Sequence, residues 1–131
     1  QARSERATDA FARARRYEDM GQGVEAAKLY LEAADASPTA EHLAYATEAI
    51  ASIDKSQARD FAMAALDALT AEIANGANIK PRQIASMRLK ISRGFWAAGL
   101  KESAKQQALM ARDLRPDDIE VRTLLKAMKV K

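Results

Sequence analysis

The chain contains no cysteine and a single histidine, His42, among its 131 residues. Without cysteine it can form neither a disulfide nor a thiolate metal site, and one histidine excludes metal sites and catalytic groups that need two. The lack of cysteine suits an oxidising compartment. We predict that His42 lies on a helix surface and is neither a metal ligand nor an acid–base catalyst.

Glycine and proline are also scarce, with five and three residues. The glycines are dispersed, which excludes a glycine-rich phosphate loop. No run of 18 apolar residues occurs, so no membrane span is predicted. The chain has no initial Met and no charged-then-apolar leader. It is therefore expected to be a mature product or a fragment, with no targeting segment in this chain. Together with the alanine-rich and arginine-rich composition, this favours a bacterial protein, with the periplasm or envelope and the cytoplasm both left open as its compartment.

Over most of the chain no cluster of like charges occurs, and the net charge is only +3. The exception is the N-terminus, where five arginines outnumber the nearby acids. These arginines are Arg3, Arg6, Arg13, Arg15 and Arg16. They either form an ordinary solvated helix face or attract an acidic partner, an anionic lipid surface or nucleic acid.

No catalytic constellation is present in the sequence. The carboxylate pairs Glu18/Asp19 and Asp117/Asp118 are adjacent residues, which point in different directions on a helix. We therefore expect a protein that is not an enzyme, with no catalytic residues, no bound metal and no cofactor.

What the chain does have is alanine, its most abundant residue and the best helix former. Apolar residues at steps of three and four predict helices throughout. The predicted helices span about 4–20, 24–36, 39–53, 55–74, 81–98, 101–114 and 117–130. Asp54 with Gln57, and Asp117 with Glu120, have the spacing of capping boxes at two of the helix starts.

One spacing of residues occurs twice, with steps of three, four, five, four, three and five. The first copy is Ala14, Tyr17, Gly21, Ala26, Tyr30, Ala33 and Pro38, and the second is Ser92, Phe95, Gly99, Ala104, Ala108, Ala111 and Pro116. Small residues stand where two helices must cross closely, glycine where the chain turns, and proline where each unit ends. This pattern resembles the tetratricopeptide repeat (TPR) family along nearly the whole chain.

The resemblance implies an all-α fold, a right-handed superhelical stack of three helical hairpins with a C-terminal capping helix. The hairpins would span about 4–38, 39–75 and 80–115, and the cap about 117–130, all in one domain over 1–131. The middle hairpin departs from the pattern, because it lacks the glycine turn and the aromatic residue of its first helix, and its register is open by one residue. Seven residues are expected to be buried at hairpin crossings. They are Ala14, Tyr17, Ala26, Tyr30, Phe95, Ala104 and Ala111.

In proteins of this family the first helices of the hairpins line a concave face that clasps a peptide or a helix. The resemblance places eleven residues of this chain there. They are Thr8, Phe11, Arg15, Glu18, Asp19, Glu41, Glu48, Ser86, Leu89, Arg93 and Trp96. Ala44 and Ala97 are further candidates, and Trp96 either faces the groove or belongs to the seam between repeats.

The leading functional hypothesis is a scaffold that binds a partner protein in this groove, in bacterial envelope or secretion assembly. The chain lacks the lysine and asparagine cluster with which chaperone-binding members clamp a C-terminal carboxylate, which disfavours that specialised role. Two alternatives remain open. One is a homo-oligomerising structural domain, and the other is a regulatory module that binds nucleic acid or an acidic partner through the N-terminal arginines. We favour a protein over nucleic acid as the partner.

Overall fold

The computed structural model describes residues 2–130, which form seven α-helices and no strand. The helices are α1 (Ala2–Asp19), α2 (Gly23–Ala36), α3 (Ala40–Ala51), α4 (Lys55–Ala74), α5 (Pro81–Ala97), α6 (Lys101–Leu114) and α7 (Ile119–Ala127). Helices α4 and α6 begin and end at the predicted residues. The outer limits of the predicted domain, residues 1 and 131, lie outside the described residues.

The helices pack as consecutive hairpins, α1 with α2, α3 with α4 and α5 with α6. The hairpins then stack on one another: α2 packs on α3, and both α3 and α4 pack on α5. Helix α7 packs on α6 at the end of the stack. The predicted all-α architecture of hairpins followed by a terminal helix is confirmed.

Small residues fill the helix crossings. Ala14, Ala33, Ala104 and Ala111 have no solvent exposure, and Ala26 has 3%. An alanine side chain has no rotamers to lose and lets two helix backbones approach closely, which explains this core. Tyr30 and Phe95 are buried as predicted.

Tyr17 is half-buried, contrary to the prediction that it is fully buried. It borders a shallow depression with Arg13 and Arg16 on the same helix, so part of its ring reaches solvent. Phe95, its counterpart in the second copy of the pattern, is 4% exposed.

The middle and last hairpins approach each other closely at Gly94 of α5. A Cβ atom at this residue would overlap Thr47 Cγ2 of α3 and would lie 3.2 Å from Ala62 Cβ and 3.4 Å from the Ala58 carbonyl oxygen of α4. Thr47 is fully buried, and its hydroxyl donates to the Leu43 carbonyl oxygen at 2.7 Å. The absence of a side chain at Gly94 therefore allows three helices to meet.

Two of the three hairpin turns use glycine. Gly21 and Gly99 have φ of 75° and 82°, a left-handed conformation that glycine adopts without strain. The turn between α3 and α4 lacks glycine and is followed instead by an N-cap. The Asp54 side chain accepts from Gln57 N at 3.0 Å and from Gln57 Nε2 at 3.0 Å, which confirms the predicted cap. These hydrogen bonds hold the pKa of Asp54 below its ordinary value of 3.8.

Three residues near helix ends differ from their predictions. The N-cap of α7 is Asp118, whose carboxylate accepts from Glu120 N at 2.8 Å, and not Asp117. The apolar periodicity of the sequence predicts that Ile119 lies on the inner face of the last helix and Ile53 on that of the third helix. Ile119 is instead 77% exposed, because α7 begins only there, and Ile53 is exposed because α3 ends at Ala51 and Ile53 lies in the turn.

Helix α7 buries Val121, Leu125 and Met128, and leaves Arg122 and Lys126 exposed. One apolar and one charged face are what the terminal unit of a repeat stack requires. None of the helices in residues 2–130 is both long and apolar enough to pass through a membrane.

Candidate functional site

Helices α1, α3 and α5 lie side by side and form one face of the stack, which we call the groove. Contacts between side chains of successive first helices define it. Phe11 of α1 meets Tyr45 of α3 with ring centroids 4.8 Å apart, and Glu48 of α3 pairs with Lys90 and Arg93 of α5. The groove thus draws on all three hairpins.

One end of the groove contains a cavity of about 440 Å³, which we call the groove cavity. It lies between α1, α3 and the start of α5, and the chain segment before α5 closes one side. The lining residues are Arg15, Glu41, Tyr45, Glu72, Ile79, Arg82, Gln83, Ser86 and Met87. A concave site of this size, with mixed polar and apolar walls, is suited to a few residues of a bound peptide.

An aromatic cluster forms the floor of the groove between the first two hairpins. Phe11 packs edge-on against Tyr45, lies 5.7 Å from the Tyr30 ring and lies 5.0 Å from the His42 ring. Tyr30 and Tyr45 are themselves 5.3 Å apart. His42 is therefore half-buried in this cluster, and its Nδ1 lies 2.8 Å from the Ser37 carbonyl oxygen.

Arg15 lies over this aromatic floor. Its guanidinium carbon is 5.9 Å from the Phe11 ring centroid and 5.6 Å from that of Tyr45. Attraction between the cation and the ring faces orients the side chain along the groove. Arg15 is exposed and forms no ion pair within residues 2–130, so its hydrogen-bond donors remain open to a ligand.

Further along the groove, the cations of α5 are bound within the chain. Lys90 Nζ lies 3.5 Å from Glu48 Oε1, and Arg93 Nη1 lies 2.5 Å from Glu48 Oε2. Arg93 Nη2 also reaches Glu120 of α7, at 3.6 Å. Lys90 Nζ stands 4.6 Å from the Tyr45 ring centroid. Arg93 thus joins α3, α5 and α7.

Glu18 of α1 is hydrogen-bonded to Tyr30 of α2, within the first hairpin. Its Oε1 accepts a hydrogen bond from the Tyr30 hydroxyl at 2.7 Å. Burial of Tyr30, and next this hydrogen bond to a carboxylate, raise the pKa of the phenol well above its ordinary value of 10.0. Glu18 therefore links α1 to α2 within the first hairpin.

The structure brings together six of the predicted groove residues. Phe11, Arg15, Glu41, Glu48 and Arg93 contact one another or the same neighbours along α1, α3 and α5, and Ser86 lines the groove cavity. Thr8 is exposed, donates to the Ser4 carbonyl oxygen at 3.0 Å and borders a separate depression on α1. Asp19 borders another depression, beside Arg13 and Arg16.

Two predicted groove residues of α5 lie elsewhere. Leu89 is 5% exposed and belongs to the core, so its side chain is not offered to a ligand. Trp96 is half-buried and packs against the core, with Lys101 Nζ 5.4 Å from its ring centroid. Trp96 therefore lies against the core beside the start of α6, within the last hairpin.

Sequence reasoning missed Tyr45, Lys90 and Arg82. On α3 the groove face is Glu41, Tyr45 and Glu48, whereas the register used in prediction placed Ala44 there, and Ala44 is fully buried. The spacing of four and three residues in Glu41, Tyr45 and Glu48 is a helical face that could have identified it. On α5 the same one-residue shift replaces Leu89 by Lys90.

The N-terminal arginines are partly engaged within the chain. Arg3 Nη2 donates to the Asp35 carbonyl oxygen at 3.0 Å, and Arg13 lies 3.9 Å from Asp9. Within residues 2–130, no three His, Cys, Asp or Glu side chains are close enough together to hold a metal ion.

Solved structures with the same fold are TPR domains. The first TPR domain of the human RPAP3 protein, an NMR structure, is similar with a TM-score of 0.68 and 18% identity over 94% of this chain and 89% of that one. The first TPR of Spaghetti (RPAP3), bound to the HSP90 peptide SRMEEVD, gives a TM-score of 0.70 and 18% identity over 96% and 92%.

No family model matches the sequence, and no curated protein does. The likeness to the solved structures establishes that this chain has a TPR-like fold.

Proposed function

We propose that this domain is a non-enzymatic interaction module that binds an extended peptide segment of a partner protein in the groove. The observation that carries the proposal is the exposed Arg15 guanidinium held over the Phe11 and Tyr45 rings beside an open cavity of about 440 Å³. Arginine and aromatic side chains are enriched in the residues that dominate binding energy at protein interfaces.

The cavity suits a peptide with a carboxylate or backbone carbonyl near Arg15 and an apolar side chain against Tyr45. Arg82, on the opposite wall of the groove cavity, is exposed and has no ion-pair partner in the described part of the chain. Two guanidinium groups that face one cavity can hold an acceptor group through paired hydrogen bonds. A TPR domain of similar structure that is bound to a peptide supports a peptide as the ligand.

The test is selection of peptides on the purified domain from a displayed random library, followed by fluorescence anisotropy with the selected peptides. Arg15→Gln should weaken binding about tenfold, because it removes a charged donor while leaving the core untouched. Arg16→Gln is the matched control. It removes the same charge from the next residue, which borders the depression next to Tyr17, and should leave affinity unchanged.

The same experiment distinguishes binding in the groove from binding at the N-terminal arginines and from self-association. If Arg15→Gln binds as the wild type does while loss of Arg3, Arg6 and Arg13 abolishes binding, the groove proposal is wrong and the N-terminal arginines form the binding site. If the mass of the domain rises with concentration and no peptide is selected, self-association is its role.

A further inference from the structure

Lys90 and Arg93 are two cations of α5, one turn apart, that converge on a single carboxylate of the same chain. Each binds a different oxygen of Glu48, which comes from α3. Glu48 therefore occupies the place between the two cations that an anionic group of a ligand would take.

We propose that Glu48 is an internal counter-ion that sets the specificity of the groove, by making its α5 side reject acidic peptide segments. This inference rests on the proposed function, because it concerns which peptides the groove accepts. An acidic ligand side chain that approaches Lys90 or Arg93 must either displace Glu48 or lie next to it, and either arrangement costs binding energy.

The burial of these groups makes the effect larger than that of an ordinary surface pair. The Lys90, Glu48 and Arg93 side chains are 14%, 28% and 32% exposed, so water and salt screen them only partly. The Tyr45 ring beneath Lys90 Nζ restricts the lysine further. Glu120, the second partner of Arg93, is 72% exposed and contributes less.

The groove then has two unlike ends. At the groove cavity, Arg15 and Arg82 are without ion-pair partners in the described residues, so their N–H groups can donate to an acidic or carbonyl group of a ligand. Glu41 and Glu72 line the same cavity, and Glu72 accepts a hydrogen bond from Ala40 N at 2.7 Å. Beside Glu48 the cations are neutralised, so neutral or basic ligand residues fit there. A bound peptide would be oriented by this asymmetry.

The experiment selects peptides from a random dodecapeptide phage library on three proteins, the wild type, Glu48→Gln and Glu102→Gln. Glu48→Gln keeps the side-chain shape and removes the carboxylate that Lys90 and Arg93 share, which leaves Arg93 with only the exposed Glu120. The peptides selected on it should therefore be richer in Asp and Glu than those of the wild type. The acidic peptides selected on Glu48→Gln should bind it about tenfold more tightly than they bind the wild type, and less so at high salt.

Glu102→Gln is the matched control, since it removes the same charge from an exposed residue of α6 that does not line the groove cavity. Glu102 has no ion-pair partner within residues 2–130, so its replacement frees no cation and the acidity of the selected peptides should stay as in the wild type. Adding Lys90→Gln to Glu48→Gln should reverse part of the gain in acidic residues, because Arg93 remains.

A second experiment uses only the wild-type protein, so it does not depend on whether Glu48→Gln folds. In a peptide selected on the wild type, replacement of each neutral residue in turn by glutamate should lower affinity about tenfold in at least one position. Tolerance of glutamate everywhere, or equal acidity of the peptides from the wild type and Glu48→Gln, would overturn the inference while leaving peptide binding by the groove intact. Failure to select any peptide on any of the three proteins would overturn both.

Discussion

Tyr30 has two roles, in packing and in hydrogen bonding, and the sequence pattern indicates only the first. It fills the first hairpin as a packing residue, with 1% exposure, and it donates a hydrogen bond to Glu18 of α1. A buried phenol beside a carboxylate strongly resists ionisation, because its anion would be both desolvated and repelled.

This gives a pH dependence with a definite sign. The folded pKa of Tyr30 is raised above the unfolded value of 10.0, so its contribution to stability is complete below pH 10.0 and declines as pH rises further. We expect the free energy of unfolding to fall more steeply between about pH 9 and about pH 11 in the wild type than in Tyr30→Phe. Urea unfolding across this range measures it, and equal slopes would contradict the assignment.

A second prediction for a single residue concerns the close contact at Gly94. Gly94→Ala should lower the free energy of unfolding by about 1–3 kcal/mol, because the added methyl group meets buried Thr47 and backbone of α4. Thr47→Ser removes the methyl group that overlaps and should recover part of the loss in the double variant. Gly23→Ala is the control, since a Cβ there meets nothing within 4 Å. A Gly94→Ala protein as stable as the control would refute the close approach.

At the scale of helices, α5 and α6 are joined by polar contacts in an otherwise apolar interface. Ser92 Oγ donates to the Ala104 carbonyl oxygen at 2.7 Å, and Arg88 Nη1 donates to Gln107 Oε1 at 2.7 Å. Arg88 is 8% exposed, and burial lowers the pKa of its guanidinium. A buried cation held by a neutral amide is costly, so Gln107 is important to this helix pair.

We therefore expect Gln107→Leu to destabilise the domain by about 2–3 kcal/mol, because it leaves a buried guanidinium donor without its acceptor. Replacing both residues, with Arg88→Met and Gln107→Leu together, should restore most of the lost stability, since no charge is then buried. Chemical denaturation of the two proteins tests this. A double variant less stable than Gln107→Leu would contradict the account.

The helices themselves were largely predictable, because their signals are local. Periodic apolar residues, the Asp54 cap and the glycine turns lie within a few residues of the boundaries they set. Helix rotation about its own axis is decided by distant neighbours. On α3 and α5 one position of each groove face was therefore predicted one residue away, at Ala44 and Leu89 instead of Tyr45 and Lys90, whereas Glu41, Glu48, Ser86 and Arg93 were predicted at the residues found there. Likewise, the pairing of Glu48 with Lys90 joins residues far apart in the chain, and no local spacing reports it.

Considered as a whole, the molecule relies on α7 to cover its last hairpin. A chain that lacks residues 117–131 would expose the face of α6 that Val121 and Leu125 now cover, and would lose the contact of Glu120 with Arg93. We expect this truncation to melt at a lower temperature and to self-associate, as exposed apolar faces do. Light scattering after gel filtration measures the mass, with Lys126→Ala as a full-length control. A truncated chain that stays monomeric with unchanged melting would show that α7 is dispensable.

The two junctions along the groove are built differently. At the α3–α5 junction, Thr47 of α3 lies against the Gly94 backbone, where even a Cβ atom would overlap it. At the α1–α3 junction, aromatic rings and Arg15 make the contacts, while α2 packs on α3 and holds the first hairpin in the stack. We therefore expect adjustment of the groove to ligands of different width to occur in the side chains between α1 and α3, and not at Gly94.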